Sequence, residues 1–100
     1  MQVTIKYLGQ EITPDGEDLI EEIIELIVAI IEALIRWPQY KMDIQYFVES
    51  NSLSIYYDDS SAPMTITQEQ KTLFLTYCYQ ILSRCGIEDP NGDFQIISTL

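Results

Sequence analysis

The 100-residue chain contains no histidine, two cysteines, four glycines, four prolines and five basic residues. Each shortage excludes something. Without histidine there is no side chain whose ordinary pKa puts its charge change near neutrality, so the commonest general acid–base group is missing. Neither cysteine has an evident activating neighbour, and GxSxG, P-loop and GxGxxG patterns are absent. Paired carboxylates such as Glu21 and Glu22 are neighbours on an exposed helix and lack the burial that would separate their pKa values. A zinc site lacks its usual ligands, with no His and no CxxC. Cys78 and Cys85 lie seven apart on one helical stretch, roughly 10 Å between Cα atoms and beyond the disulfide limit of about 7 Å. They read as core thiols. No catalytic residue, metal or cofactor is expected, and the chain is not expected to be an enzyme.

The shortage of base has a second consequence. Sixteen acids against five bases give a formal charge of −11, which repels phosphate backbones and anionic leaflets and draws in basic partners. Direct nucleic-acid binding is not expected. Long apolar runs are missing too: Leu19 to Trp37 approaches membrane-span length, but Glu21, Glu22, Glu25 and Glu32 interrupt it, so no transmembrane helix is expected. Met1 to Leu8 lacks a basic start followed by an apolar run, so no secretory signal is read and a cytoplasmic location is expected.

What is present is core. The chain is 47% hydrophobic and 11% aromatic, too rich for a disordered acidic tail and enough for one domain over residues 1–100. Met1 to Leu8 alternates as a half-buried strand, with Val3, Ile5 and Tyr7 on one side. Gly9-Gln10 permits a tight turn before a short return over Glu11 to Thr13. Thr13-Pro14-Asp15-Gly16 carries helix-start chemistry, predicting a helix from about residue 15 to Trp37, before Pro38. Met42, Ile44, Tyr46 and Val48, then Leu53, Ile55 and Tyr57, alternate around a polar Glu49 to Ser52 turn and predict a β-hairpin. Thr67-Gln68-Glu69-Gln70 fits a capping box opening a second helix to about Cys85, with Gly86 as its stop. Asp89 to Asp93 is a turn that lacks the length and closing Glu of a calcium loop, and Phe94 to Leu100 is a last strand. The order predicts an α+β, two-layer, ferredoxin-like βαββαβ fold with two helices on one face of an antiparallel sheet. A β-grasp-like N-terminal half is the alternative if Gly9-Gln10 joins a true hairpin.

The first helix carries the candidate site. At about 100° per residue, Glu17, Asp18, Glu21, Glu22, Glu25 and Glu32 fall within a sector of about 140°, where Arg36 is the one base. A face of one sign is less stable than a mixed one. It suits a basic protein surface, the logic by which anti-restriction, anti-CRISPR and immunity-type inhibitors occupy a nucleic-acid-binding effector. Solvation and, for Glu17 and Asp18, the helix dipole are the ordinary explanations. Asp18, Glu21, Glu22, Glu25 and Glu32 are the expected partner-binding residues of a non-catalytic inhibitor or nucleic-acid mimic.

The remaining arc of about 220°, holding Leu19, Ile20, Ile23, Ile24, Leu26, Ile27, Ile30, Ile31, Leu34 and Trp37, is wider than one neighbour needs. It supports the alternative of a structural subunit, homodimeric through this side. Phe47 and Tyr56 on the polar side of the hairpin are a second candidate contact surface. Their acidic neighbours Asp43, Glu49 and Asp58 fit a protein contact better than RNA. A small-ligand role has no convergent polar groups behind it.

Overall fold

The computed structural model describes residues 1–34 and 41–99. The described residues fall into two compact units, one within Met1–Ile12, Gln39–Thr65 and Asn91–Leu100, the other within Thr13–Pro38 and Ile66–Pro90.

The first unit is a five-stranded antiparallel sheet of β1 (Gln2–Tyr7), β2 (Gln10–Ile12), β3 (Lys41–Phe47), β4 (Ser52–Tyr57) and β5 (Phe94–Thr99), in the order β2-β1-β5-β3-β4. Its two hairpins follow from local chemistry. Leu8 and Gly9 both have positive φ, 53° and 78°, the two-residue turn whose twist matches that of the flanking strands. Leu8 pays for a backbone region that asparagine or glycine enters more readily. Val48 to Asn51 joins β3 to β4, with Asn51 at φ 48° and its side chain accepting from the Tyr46 hydroxyl at 2.8 Å. Val48, expected on the strand, belongs instead to this turn and is exposed.

Alternation then sorts the sheet. One isoleucine from every strand lies in a single register row, Ile12 beside Ile5, Ile5 beside Ile96, Ile96 beside Ile44 and Ile44 beside Ile55. The four beyond β2 are buried. The next row brings Tyr7, Phe94, Tyr46 and Leu53 together, all buried, with the Phe94 and Tyr46 rings stacked at 5.2 Å. The opposite face carries Lys6, Gln95, Gln45 and Ser54 in one row and Thr4, Ile97, Asp43 and Tyr56 in the next, all half-buried.

The fold is thus α+β with an open antiparallel sheet, but the strand order does not confirm the ferredoxin-like arrangement. The first helix joins β2 to β3, which β1 and β5 separate in the sheet, and the second joins β4 to β5, which β3 separates. The difference is in the second hairpin. It turns outward and leaves β4 at an edge, where a ferredoxin-like sheet turns it inward. Alternation fixes which residues share a face, and the turn fixes the hairpin; neither selects the side on which the hairpin is added. The hairpin on which a β-grasp-like start depended does form, with Leu8-Gly9 as its turn.

The second unit is a helix pair, α1 (Glu17–Leu34) and α2 (Gln68–Arg84). The α1 residues expected beyond Leu34, Ile35 to Trp37 with Pro38, lie outside the described residues. Helix α2 starts on the expected capping box: Thr67 Oγ1 accepts from the Gln70 amide at 3.0 Å, and Gln70 Oε1 accepts from the Thr67 amide at 2.9 Å. Gln70 also donates to the Ala33 carbonyl, while Arg84 at the far end bonds Glu22, so the helices run antiparallel. Ile23, Ile27, Ile30 and Ile31 of α1 are buried, as are Phe74, Cys78, Ile81 and Leu82 of α2. Among the described residues no helix is long and apolar enough to cross a membrane.

Candidate functional site: the acidic helix face and the open sheet face

Glu17, Asp18, Glu21, Glu22, Glu25 and Glu32 are all solvent-exposed on α1. Glu22 is paired, its Oε2 accepting from Arg84 Nε at 3.0 Å, with the Glu22 side chain exposed and that of Arg84 half-buried. Among the described residues this is the ion pair given to the acidic sector, and a surface pair of this kind contributes only about 0–1 kcal/mol. Arg36, the base expected beside these acids, lies outside the described residues. The acids therefore form a carboxylate face on which Arg84 pairs with Glu22.

The apolar arc that pointed to a homodimer is narrower where it is buried. Ile30, Ile23, Ile27 and Ile31 span about 100° of the helix, the width of an ordinary one-sided stripe. Leu19, Leu26 and Ile24 form half-buried flanks, Leu34 is half-buried within the stripe, and Ile20 is the large residue left exposed, at 45%. Trp37 lies outside the described residues.

On the sheet, Phe47 and Tyr56 share the open face but are not brought together. Phe47 stands opposite Ser52 at the turn end, and Tyr56 opposite Asp43, four residues or about 13 Å further along. They wall separate depressions. The one at Phe47, of about 270 Å³, includes Lys6, Gln45, Asp93 and Gln95. The other, of about 340 Å³, sets Tyr56 among Lys41, Asp43, Asp58 and Asp59.

Between them runs a polar network that the sequence pattern did not disclose. Asp43 accepts from Gln95 Nε2 at 2.9 Å through one oxygen and from Gln45 Nε2 at 3.3 Å through the other. Gln45 and Gln95 are register partners across β3 and β5. Polar residues at alternate strand positions hinted at an open face; their convergence required the strand order.

The Asp89 to Asp93 turn also acquires a role. Asp93 Oδ1 accepts from the Val48 amide at 2.8 Å and the Asp93 carbonyl accepts from the Leu8 amide at 2.9 Å, so one residue ties both hairpin turns. Asn91 exchanges hydrogen bonds with the Tyr7 hydroxyl. Gly92 lies beneath the Leu8 side chain, into which a Cβ would collide. These oxygens serve as a clasp, and no grouping of three or more metal-binding side chains occurs among the described residues.

The thiols are inert by placement. Burial pushes Cys78 up to about 12, and burial followed by the Asp15 carboxylate pushes Cys85 up to about 11. Both are unpaired and buried, so neither offers a thiolate near neutral pH.

Compared with protein-family models, with curated proteins and with solved structures, the chain matches none.

Proposed function

We propose that this protein is a small, non-catalytic, acidic binding module whose α1 face docks on a basic protein surface, as an inhibitor or nucleic-acid mimic acting on a nucleic-acid-binding effector. One observation carries the reading: six exposed carboxylates occupy one sector of one helix, with Arg84 paired to Glu22. Their spacing gives the mimicry a scale. From Glu17 to Glu32 the axis runs about 22 Å, or one charge per roughly 4.5 Å. A single DNA strand carries one per about 3.4 Å and the duplex one per about 1.7 Å. The face resembles one strand in density, so the fitting partner surface is a groove for a single strand or one edge of a duplex track.

The test is capture of the partner from host lysate at low and high salt, with Glu21→Lys and Glu25→Lys combined. These positions leave the Glu22–Arg84 pair intact. Capture is expected to weaken steeply with salt and to be lost on charge reversal, because exposed complementary charge acts over a Debye length of about 10 Å at 0.1 M salt. Capture unchanged by the double reversal would refute the proposal.

A further inference from the structure

The depression at the turn end of the sheet has a lining whose chemistry selects an occupant. Its wall includes the Phe47 ring, the Gln45 and Gln95 amides, the Asp93 carboxylate and Lys6. Each amide nitrogen gives one of its two hydrogens to Asp43, and each amide keeps its carbonyl oxygen as an acceptor. Asp93 gives Oδ1 to the Val48 amide, and a carboxylate offers about four lone-pair sites, so it can accept more. Lys6 is the cation of the wall, and Glu11 is its register partner across β1 and β2. The cavity is therefore rich in acceptors beside an aromatic face, in a chain of charge −11.

Size narrows the occupant further. About 270 Å³ falls below the roughly 300–1,000 Å³ of metabolite pockets, so one side chain fits better than a free ligand. A second copy of the chain is disfavoured, because the exposed Leu8, Phe47 and Val48 offer a few hundred Å² at most against about 800 Å² per partner in a stable interface. We infer that this cavity receives an arginine side chain of a basic protein partner, its guanidinium stacked on Phe47 and donating to Asp93 and to the Gln45 and Gln95 carbonyls. Arginine fits where lysine does not. Its five donors lie in one plane that both stacks on a ring and reaches several acceptors, whereas the ammonium is a compact, strongly hydrated point charge. The site lies wholly on the sheet unit and stands or falls independently of α1.

Titrating N-acetyl-arginine amide, and separately N-acetyl-lysine amide, into the isotope-labelled full chain tests this by NMR. The arginine compound is expected to shift the Val48 amide and the Gln45 and Gln95 side-chain NH2 signals with millimolar affinity. The lysine compound is expected to bind several-fold more weakly. Phe47→Leu keeps an apolar residue at an exposed position and removes the π face, and it should weaken arginine binding about two- to fivefold. The Glu21→Lys, Glu25→Lys protein should bind arginine amide unchanged at this cavity. Equal affinity for the two compounds, indifference to Phe47→Leu, or shifts confined to α1 would each overturn the inference. Failure of the α1 reversals to affect partner capture would sink the proposed function and leave this site untouched.

Discussion

The isoleucine row across the sheet predicts a graded series of stability losses that follows burial and not position in the sheet. Ile96 and Ile44 on inner strands and Ile55 on the edge strand β4 are all 0% exposed, whereas Ile12 on the other edge is half-buried. Truncating a buried isoleucine to alanine removes three carbons, about 2.4 kcal/mol at roughly 0.8 kcal/mol each. Incomplete collapse of the space adds about 1 kcal/mol at some 24 cal/mol per Å³ of residual cavity. Ile96→Ala and Ile55→Ala should thus each lose about 3–4 kcal/mol, and Ile12→Ala less than about 1.5. At a urea m-value of about 1.5 kcal/mol per M, the larger loss moves the midpoint by about 2 M. Should alanine leave too little folded protein, Ile→Val at the same sites gives the same ranking at about 0.5–1.5 kcal/mol. The edge position of Ile55 makes the test sharp. Its carbonyl accepts from the Met64 amide at 2.7 Å, so the segment after β4 runs back along that edge. A loss at Ile55 as small as that at Ile12 would refute this account of a closed β4 edge and an open β2 edge.

Two further outcomes follow from charge and burial. Cys78 binds its proton more tightly folded than unfolded, since burial raises its pKa from 9.0 to about 12; its contribution is full below about pH 9 and is lost as pH rises from there toward 12, at up to about 1.4 kcal/mol per pH unit. Cys78→Ala should flatten the fall in urea midpoint between pH 9 and 11 relative to wild type, and parallel pH curves would refute the assignment. Glu32 sits in the last described turn of α1, where the helix dipole disfavours an acid and none of that turn's own residues is basic. Glu32→Gln should raise the thermal midpoint slightly at low salt, with the gain shrinking at 1 M salt, and a loss of stability in both would contradict this reasoning.

The sequence discloses what short-range periodicity encodes. Alternation in Met42, Ile44 and Tyr46 and in Leu53 and Ile55 identifies the strand face that is buried, and the Thr67 to Gln70 spacing identifies the capping box. Both are decided by residues within a few positions of one another. The strand order is decided by where β5 inserts, a choice among long-range pairings that leaves no local mark in Phe94 to Thr99. For the same reason the Asp43 network was invisible, because Gln95 reaches Asp43 from 52 positions away. Local pattern alone places Leu8 at the end of a strand and Asp93 in a plain turn. Only the clasp between β1, β3 and β5 explains why one is exposed at 64% and the other bonded to both hairpin turns.

The placement of charge along α1 separates the acids that folding explains from those it does not. Glu17 and Asp18 lie in the first turn, where partial positive charge on free amides favours them. Glu22 has Arg84. Glu21 and Glu25 are four apart, and like charges at that spacing repel by a few tenths of a kcal/mol. Glu32 lies near the helix end whose dipole opposes it. Three of the six carboxylates therefore sit where helix stability would prefer a neutral or basic residue, and all three are exposed. Solubility alone does not require this arrangement, since a chain of charge −11 would remain far from neutrality after losing any of them. Glu21, Glu25 and Glu32 are the residues on which a partner-binding role makes its strongest claim.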